Sequence, residues 1–231
     1  MPDWSSLPGL LSHENWIAAL PDSVRQEILQ RMIPRELAAG EPLIHAGAPS
    51  LGIYQLEAGY LRLVAYHPDG RQTLILVYRP GNCFSESPLV ARRPPNHTTL
   101  AMTNARVRLL PTDDFWTLYE RHPEIPEALC RKFASSMSRL LTRREIAVTR
   151  RLREMVAFIF CNLAEACGTT EADGTITIDL PLTQNDLADH LTVTRQAVQR
   201  EVGALKTQGA LAKRDGLWRV LDLPKLRRVA A

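Results

Sequence analysis

The sequence predicts an α+β chain of three parts: an N-terminal antiparallel β-roll, a long helix and a C-terminal winged helix-turn-helix. Between about residues 33 and 110, short β-type runs alternate with glycines and prolines, which is typical of a compact antiparallel structure. Residues 124–148 then show an uninterrupted helical periodicity. Residues 181–220 carry the capping signals of two short helices, followed by a hairpin pattern.

The chain is long enough for two domains with separate cores, because it has 231 residues, of which 45% are hydrophobic. We expect a β-roll with flanking helices over residues 1–122, a long helix over 123–149 and the winged helix-turn-helix over 150–231. No run approaches the roughly 18 apolar residues of a membrane span, and the N-terminus lacks the features of a signal peptide. A cytoplasmic protein without a membrane partner is therefore expected.

The predicted roll consists of short strands separated by turn signals such as Gly59, Pro68-Asp69-Gly70 and Pro80-Gly81. After the roll, residues 110–122 change to helical periodicity. The expected strands span residues 42–45, 53–56, 60–66, 73–78 and 100–110.

A heptad-like stripe runs along the long helix, with spacings of four and three residues in alternation. Such a stripe is compatible with core packing, but a helix of this length between two domains has too little of its own chain to cover it. We therefore expect a two-fold seam with a second copy. The expected interface residues are Leu129, Phe133, Ser136, Leu140, Arg143 and Ala147. A new apolar helix is expected over residues 152–167.

The C-terminal segment has the pattern of a DNA-reading motif. Thr183 and Asp186 have the spacing of a capping box, and Thr194 can cap a second helix. That helix would bury Val198, Val202 and Leu205 and turn its polar side chains outward, where the second helix of such a motif meets base edges. From Thr192 onward, nine Lys/Arg face three acids, although the whole chain is only +3. This local excess of positive charge favours phosphate contacts.

Taken together, the order of these parts and several motifs resemble the CRP/FNR family of bacterial transcription regulators. The motifs are Gly47 and Tyr54 in HAGAPSLGIYQLEAG, the Asp69-Gly70 hairpin, Phe84 and Glu86 in GNCFSES, Pro123, and LTQNDLADHLTVTRQAVQREVGAL. The resemblance implies a homodimer that binds double-stranded DNA at a near-palindromic site and recruits or blocks RNA polymerase. The implied DNA contacts are Thr183, Gln184, Thr194, Arg195, Gln196, Gln199, Arg200, Lys213 and Arg214.

The predicted sensory site departs from the cyclic-AMP-binding members of that family. Ser85 replaces a glycine, Pro95 and Asn96 stand at the Arg-Ser positions that hold the cyclic phosphate, and leucines replace the Thr-Ser pair that binds adenine. We therefore expect an unknown small-molecule effector that is less polar than cyclic AMP, or no effector. The expected pocket residues are Ser85, Glu86, Asn96, His97, Thr98, Leu140 and Leu141.

Alternative sensors are less compatible with the sequence, and no resident cofactor is predicted. A cyclic-nucleotide response remains an alternative, as does haem bound through His45 or His97; Pro2 matches one haem ligand of the carbon monoxide sensors, but Ser87 stands at the histidine position. No cysteine cluster precedes the roll, which disfavours an iron–sulfur sensor, and the four cysteines lack paired metal spacing, so no metal site is expected. Thiol sensing is a further alternative.

The chain lacks catalytic motifs, so no enzyme is expected. A β-roll protein that does not bind DNA is the alternative from a different class.

Overall fold

A computed structural model of the chain describes residues 9–12 and 15–231. The chain divides into two units, residues 12–137 and residues 138–231 together with 9–11. Pro2 and most of the N-terminal stretch considered for a signal peptide lie outside the described residues. Among the helices that are described, none is long and apolar enough to cross a membrane.

The strands of the β-roll are β1 (Ile33–Leu37), β2 (Pro42–Ile44), β3 (Gly52–Ala58), β4 (Leu61–Tyr66), β5 (Gln72–Tyr78), β6 (Cys83–Phe84), β7 (Thr98–Ala101) and β8 (Ala105–Pro111). They form two four-stranded antiparallel sheets, with strand orders β1-β8-β3-β6 and β2-β7-β4-β5. Tyr54, Leu56 and Leu61 lie between the sheets in one core cluster with Val107.

The prediction of a single strand over residues 100–110 is wrong, because this stretch forms two strands that belong to different sheets. The chain turns between them at Thr103 and Asn104, whose side chains accept hydrogen bonds from the backbone N–H groups of Tyr60 and Ala39, both at 3.0 Å. The Thr103 hydroxyl also donates to the carbonyl of Asn104 at 3.0 Å, and a local bond of this kind competes with a continuous ladder. The other four expected strands are confirmed, and β1 and β6 were not foreseen.

The helices of the first unit build a second core beside the roll. After a 3-10 helix (Ile17–Ala19), they are α1 (Asp22–Arg31), α2 (Glu86–Val90), α3 (Thr112–Arg121) and the first part of the long α4 (Glu124–Thr149), whose residues from 138 onward belong to the second unit. Trp16, Ile28, Phe115 and Leu129 meet in this core. Leu129 is 2% exposed, so its side chain is covered by its own chain and is not available to a second copy.

The second unit contains α5 (Leu152–Cys167), β9 (Gly168–Thr170), β10 (Ile176–Ile178), α6 (Gln184–Leu191), α7 (Arg195–Thr207), β11 (Leu211–Arg214), β12 (Leu217–Val220) and α8 (Leu223–Ala230). The predicted wing is confirmed as the hairpin β11–β12, and β10 and β9 extend it to a four-stranded sheet. Asp215 and Gly216 form its two-residue turn with φ values of 52° and 80°. Positive φ at both positions is the geometry that matches strand twist in a tight hairpin.

Helix α8 changes the interpretation of the basic C-terminus. Arg227 donates to Glu165 of α5 at 2.5 Å, and Lys225 donates to the carbonyl of Gln208 at 3.0 Å. These two side chains are used in holding α8 in place. The charge excess expected to attract phosphates is therefore concentrated on α7 and the wing.

Trp218 anchors the sheet to the helices. It is fully buried, its indole N–H donates to the carbonyl of Leu182 at 2.7 Å, and its ring meets Phe160 edge-on at 5.0 Å. Truncating such a side chain leaves a cavity and an unpaired carbonyl.

We expect Trp218→Ala to lower the free energy of unfolding by about 3–5 kcal/mol. The matched control is Leu221→Ala just beyond the end of the same strand, at a partly exposed position, which should cost less than about 1 kcal/mol. Urea unfolding followed by circular dichroism compares them. Equal losses for the two variants would contradict the anchoring role of Trp218.

Candidate nucleic-acid interface and effector cavity

Side-chain caps begin both helices of the helix-turn-helix, as predicted. Thr183 and Asp186 form the capping box: the backbone N–H of each residue donates to the side chain of the other, at 2.8 and 3.1 Å. The Thr183 hydroxyl also donates to Asp186 at 2.6 Å, so its first role is to cap α6. Thr194 caps α7 by accepting from the backbone N–H of Ala197 at 3.3 Å.

Helix α7 presents the expected two faces. Val198, Val202 and Leu205 are fully buried, which confirms the predicted inward stripe. The structure places Thr194, Arg195, Gln196, Gln199 and Arg200 on the exposed side of the helix or at its start.

A buried carboxylate holds α7 against α5. Glu201 is 7% exposed and accepts from Arg153 of α5 at 2.8 Å and from Arg200 at 2.9 Å. These two guanidinium groups, Arg200 first, hold the pKa of Glu201 below its usual range. The Arg200 side chain is still 73% exposed. Because only its Nε is engaged with Glu201, its terminal amino groups retain the geometry for a bidentate contact.

Four of the expected DNA contacts line one concavity of about 390 Å³: Thr183, Gln184, Arg195 and Lys213. Lys213 extends over the ring of Trp218 at 5.0 Å. Within the described part of the chain, Arg195 has no ion-pair partner. The concavity is also lined by Asn185, which the sequence did not single out although it follows the cap closely. Arg214 is exposed at the end of β11 beside the turn.

The first unit contains a cavity of about 560 Å³ at the predicted sensory position. Four expected residues line it: Ser85, Glu86, Asn96 and His97. Thr98 is not among the lining residues: it is buried and accepts from the N–H of Ala46 at 3.2 Å. Leu140 and Leu141 belong to the second unit and are each 62% exposed, and their role in the pocket stays a prediction. Lining residues that were not expected include Leu63, Leu76, Arg93, Lys132 and Phe133.

Glu86 is a structural acid in this geometry, whereas we expected it to contact the effector. It is 2% exposed. One oxygen accepts from the Trp16 indole N–H at 2.7 Å, and the other pairs with the Lys132 ammonium at 2.5 Å. Lys132 is itself largely buried and also donates to the carbonyl of Cys83 at 3.3 Å. The sequence offered no signal for this pairing, because 46 positions separate the two charged residues.

The geometry also bears on the alternative sensors. Burial, reinforced by the Glu86 charge, raises the pKa of Cys83 to about 12, and burial raises that of Cys161 to about 12. Both thiols are thus protonated and unreactive at neutral pH, whereas Cys130 is exposed and Cys167 is half-buried. His97 lines the cavity, and burial lowers its pKa. His45 is exposed and is not among the lining residues. No cluster of three or more potential metal ligands occurs within residues 9–12 and 15–231.

Most residues of the stripe expected to form the dimer interface on α4 contact other parts of their own chain. Leu129 is in the core, Phe133 and Ser136 line the cavity, and Arg143 contacts the ring of His190 at 3.0 Å. Only Leu140 and Ala147 of the expected set are exposed. An exposed stripe with the same alternating spacing lies one position further along. Its members, which we call the α4 stripe, are Cys130, Ala134, Met137, Leu141, Arg144 and Val148.

The fold and these two sites define a DNA-binding regulator with a sensory β-roll. A model of the cyclic nucleotide-binding domain matches residues 34–122, and a model of the Crp-like helix-turn-helix domain matches residues 150–229. The chain belongs to the CRP/FNR family of transcriptional regulators.

Relatives support this assignment along most of the chain. The transcriptional regulator SdrP of Thermus thermophilus is 25% identical over 194 residues, which cover 83% of this chain and 91% of that protein. A CRP-like cAMP-activated global transcriptional regulator of Mycobacterium tuberculosis is 22% identical over 182 residues, covering 79% and 81%. A crystal structure of a CRP-family transcriptional regulator from Thermus thermophilus superposes with a TM-score of 0.70 at 26% identity, covering 85% of this chain and 96% of that one.

We expect Lys132→Ala to lower the free energy of unfolding by about 3–5 kcal/mol, because it leaves the Glu86 carboxylate buried without a cationic partner. The neighbouring Arg131→Ala is the matched control. It removes an exposed ion pair with Glu127 and should cost about 0.5 kcal/mol or less. Chemical unfolding at neutral pH measures both. A loss for Lys132→Ala as small as that for Arg131→Ala would show that Glu86 does not depend on this lysine.

Proposed function

We propose that this regulator binds near-palindromic double-stranded DNA as a homodimer, that a small effector other than cyclic AMP in the β-roll cavity adjusts its DNA affinity, and that it acts on RNA polymerase in the cytoplasm. It works by binding, without a catalytic step. The roll over residues 1–122 would sense, the helix over 123–149 would dimerise and residues 150–231 would read DNA. The observation that carries the proposal is the exposed polar face of α7 above its buried apolar stripe.

Base reading is assigned to the exposed face of α7. Arg200, held at Nε by Glu201, fits the O6 and N7 atoms of guanine, and the amide side chains of Gln196 and Gln199 fit adenine. Arg195 and Lys213 share the concavity at the start of α6. Cations beside a helix N-terminus favour a phosphate group. These two residues would therefore set the position of the protein on the duplex.

We assign the contact with a second copy of the chain to the α4 stripe. Met137, Leu141 and Val148 are 59–79% exposed, which is unusual for large apolar side chains that recur at coiled-coil spacing. A two-fold axis along this stripe brings the same residues of both copies together. It also pairs two α7 helices, as a near-palindromic site requires.

We expect Arg200→Ala to reduce discrimination at one base pair by about 1–3 kcal/mol, because the bidentate contact is lost. Lys213→Ala should instead weaken binding to all sequences alike and lower the salt slope by about one. Fluorescence anisotropy on duplexes with each base at each half-site position separates the two. Arg228→Ala on α8 is the control and should change neither quantity. Unchanged base discrimination in Arg200→Ala would refute its assignment.

We expect Leu141→Asp to raise the dissociation constant of the dimer about 100-fold or more, because each seam would bury two like charges. Ser135→Asp, on an exposed position away from the stripe, is the matched control and should leave the dimer intact. Sedimentation equilibrium measures both. A dimer that tolerates Leu141→Asp would place the interface elsewhere.

A further inference from the structure

We infer that the effector cavity binds a small hydrophobic monocarboxylate, with its carboxylate at Arg93 and its apolar body against Leu63, Leu76 and Phe133. This inference rests on the proposed function, because it names the chemical class of the effector that the same cavity takes. Three observations support it: the apolar side chains that line the cavity, the charges of the lining residues, and the position of Arg93 in the loop.

The walls of the cavity favour an apolar body. Leu63 and Leu76 are directly opposite each other on β4 and β5, and both are only half-buried although they belong to the edge of the roll core. Phe133 is likewise half-buried on α4. Apolar side chains that remain partly exposed around a concave, solvent-accessible volume gain from an apolar ligand that removes them from water.

The charges of the lining favour a single negative charge on the ligand. Lys132 and Glu86 neutralise each other, and Glu86 is the only acid among the described lining residues. Burial lowers the pKa of His97, which disfavours a positive charge on its imidazole. Arg93 is left as one cation, which has no ion-pair partner in the described part of the chain. An exposed guanidinium beside an apolar cavity suits a carboxylate, which it can bind with two parallel hydrogen bonds.

Arg92 and Arg93 both border a second concavity beside Trp116, but only Arg93 also lines the effector cavity. Arg92 adopts φ 50°, and its guanidinium lies 5.1 Å from the centre of the Trp116 ring. It is not among the residues that line the cavity, whereas Arg93 is. The hydroxyls of Ser85 and Ser87 line the same cavity and can donate to an anion.

A cyclic nucleotide also carries one negative charge, but the one acid of the lining is already engaged and cannot accept from its ribose. Its ribose and base need several polar partners. The carboxylate of Glu86 is almost inaccessible and already accepts from Trp16 and pairs with Lys132. The remaining lining exposes more apolar than polar surface, with polar groups supplied by four serines, Asn96 and Thr99.

Isothermal titration of the full-length protein with octanoate tests the inference, with cyclic AMP titrated in parallel. We expect octanoate to bind, and Arg93→Gln to weaken it about 10- to 100-fold, as the loss of a charge-assisted pair implies. Arg92→Gln is the matched control and should change the affinity less than about twofold, because Arg92 is not part of the cavity. Arg93→Lys keeps the charge but loses the two parallel hydrogen bonds, so its affinity should lie between those of the wild type and Arg93→Gln. This variant guards against a loop that is merely disturbed by Arg93→Gln.

Three outcomes would overturn the inference: no binding of octanoate, equal weakening by both glutamine variants, or cyclic AMP binding more tightly than octanoate. The last outcome would assign the cavity to a nucleotide. DNA binding of the same samples, measured by anisotropy, keeps the two proposals separate. A protein that binds its DNA site but not octanoate refutes only the ligand class, whereas one that binds octanoate but no DNA refutes the proposed regulator.

Discussion

Burial of the Glu86 carboxylate is the constraint on which the sensory unit depends. A carboxylate with so little access to water is tolerated only when its charge is compensated and its oxygens are bonded. The compensation comes from two distant parts of the chain, the indole of Trp16 near the N-terminus and the ammonium of Lys132 on α4. This network therefore fixes the start of the long helix against the roll, and it forms one wall of the cavity.

The same helix serves two roles on adjacent faces. Lys132, Phe133 and Ser136 line the cavity, while the α4 stripe begins at Cys130 and stays exposed. A ligand that contacts these three residues touches the element to which we assign dimerisation. Such a ligand can shift the equilibrium between arrangements of the dimer only as far as its affinity differs between them. The contacts on α4 are where that difference would arise.

Local signals predicted the DNA-reading unit well, because they act within a few residues. The capping box of Thr183 and Asp186 and the Asp215-Gly216 turn are both set by neighbouring side chains and backbone conformation. The sequence could not predict which face of the long helix stays exposed. Residues 129–147 and residues 130–148 carry two adjacent stripes with the same spacing. Only the tertiary fold decides which stripe the chain covers. The pairing of Glu86 with Lys132, and the separation of Arg92 from Arg93, likewise depend on long-range packing and on one loop turn.

Selection of bound sites from random duplex DNA with the purified protein, without and with cyclic AMP at a stated salt concentration, tests the central claim most directly. We expect a near-palindromic motif whose half-sites are about one helical turn apart, selected without nucleotide and unchanged by it. A motif that emerges only with cyclic AMP would contradict the account of the cavity. If the protein is a folded dimer and no motif is selected under either condition, the assignment of base reading to α7 is contradicted.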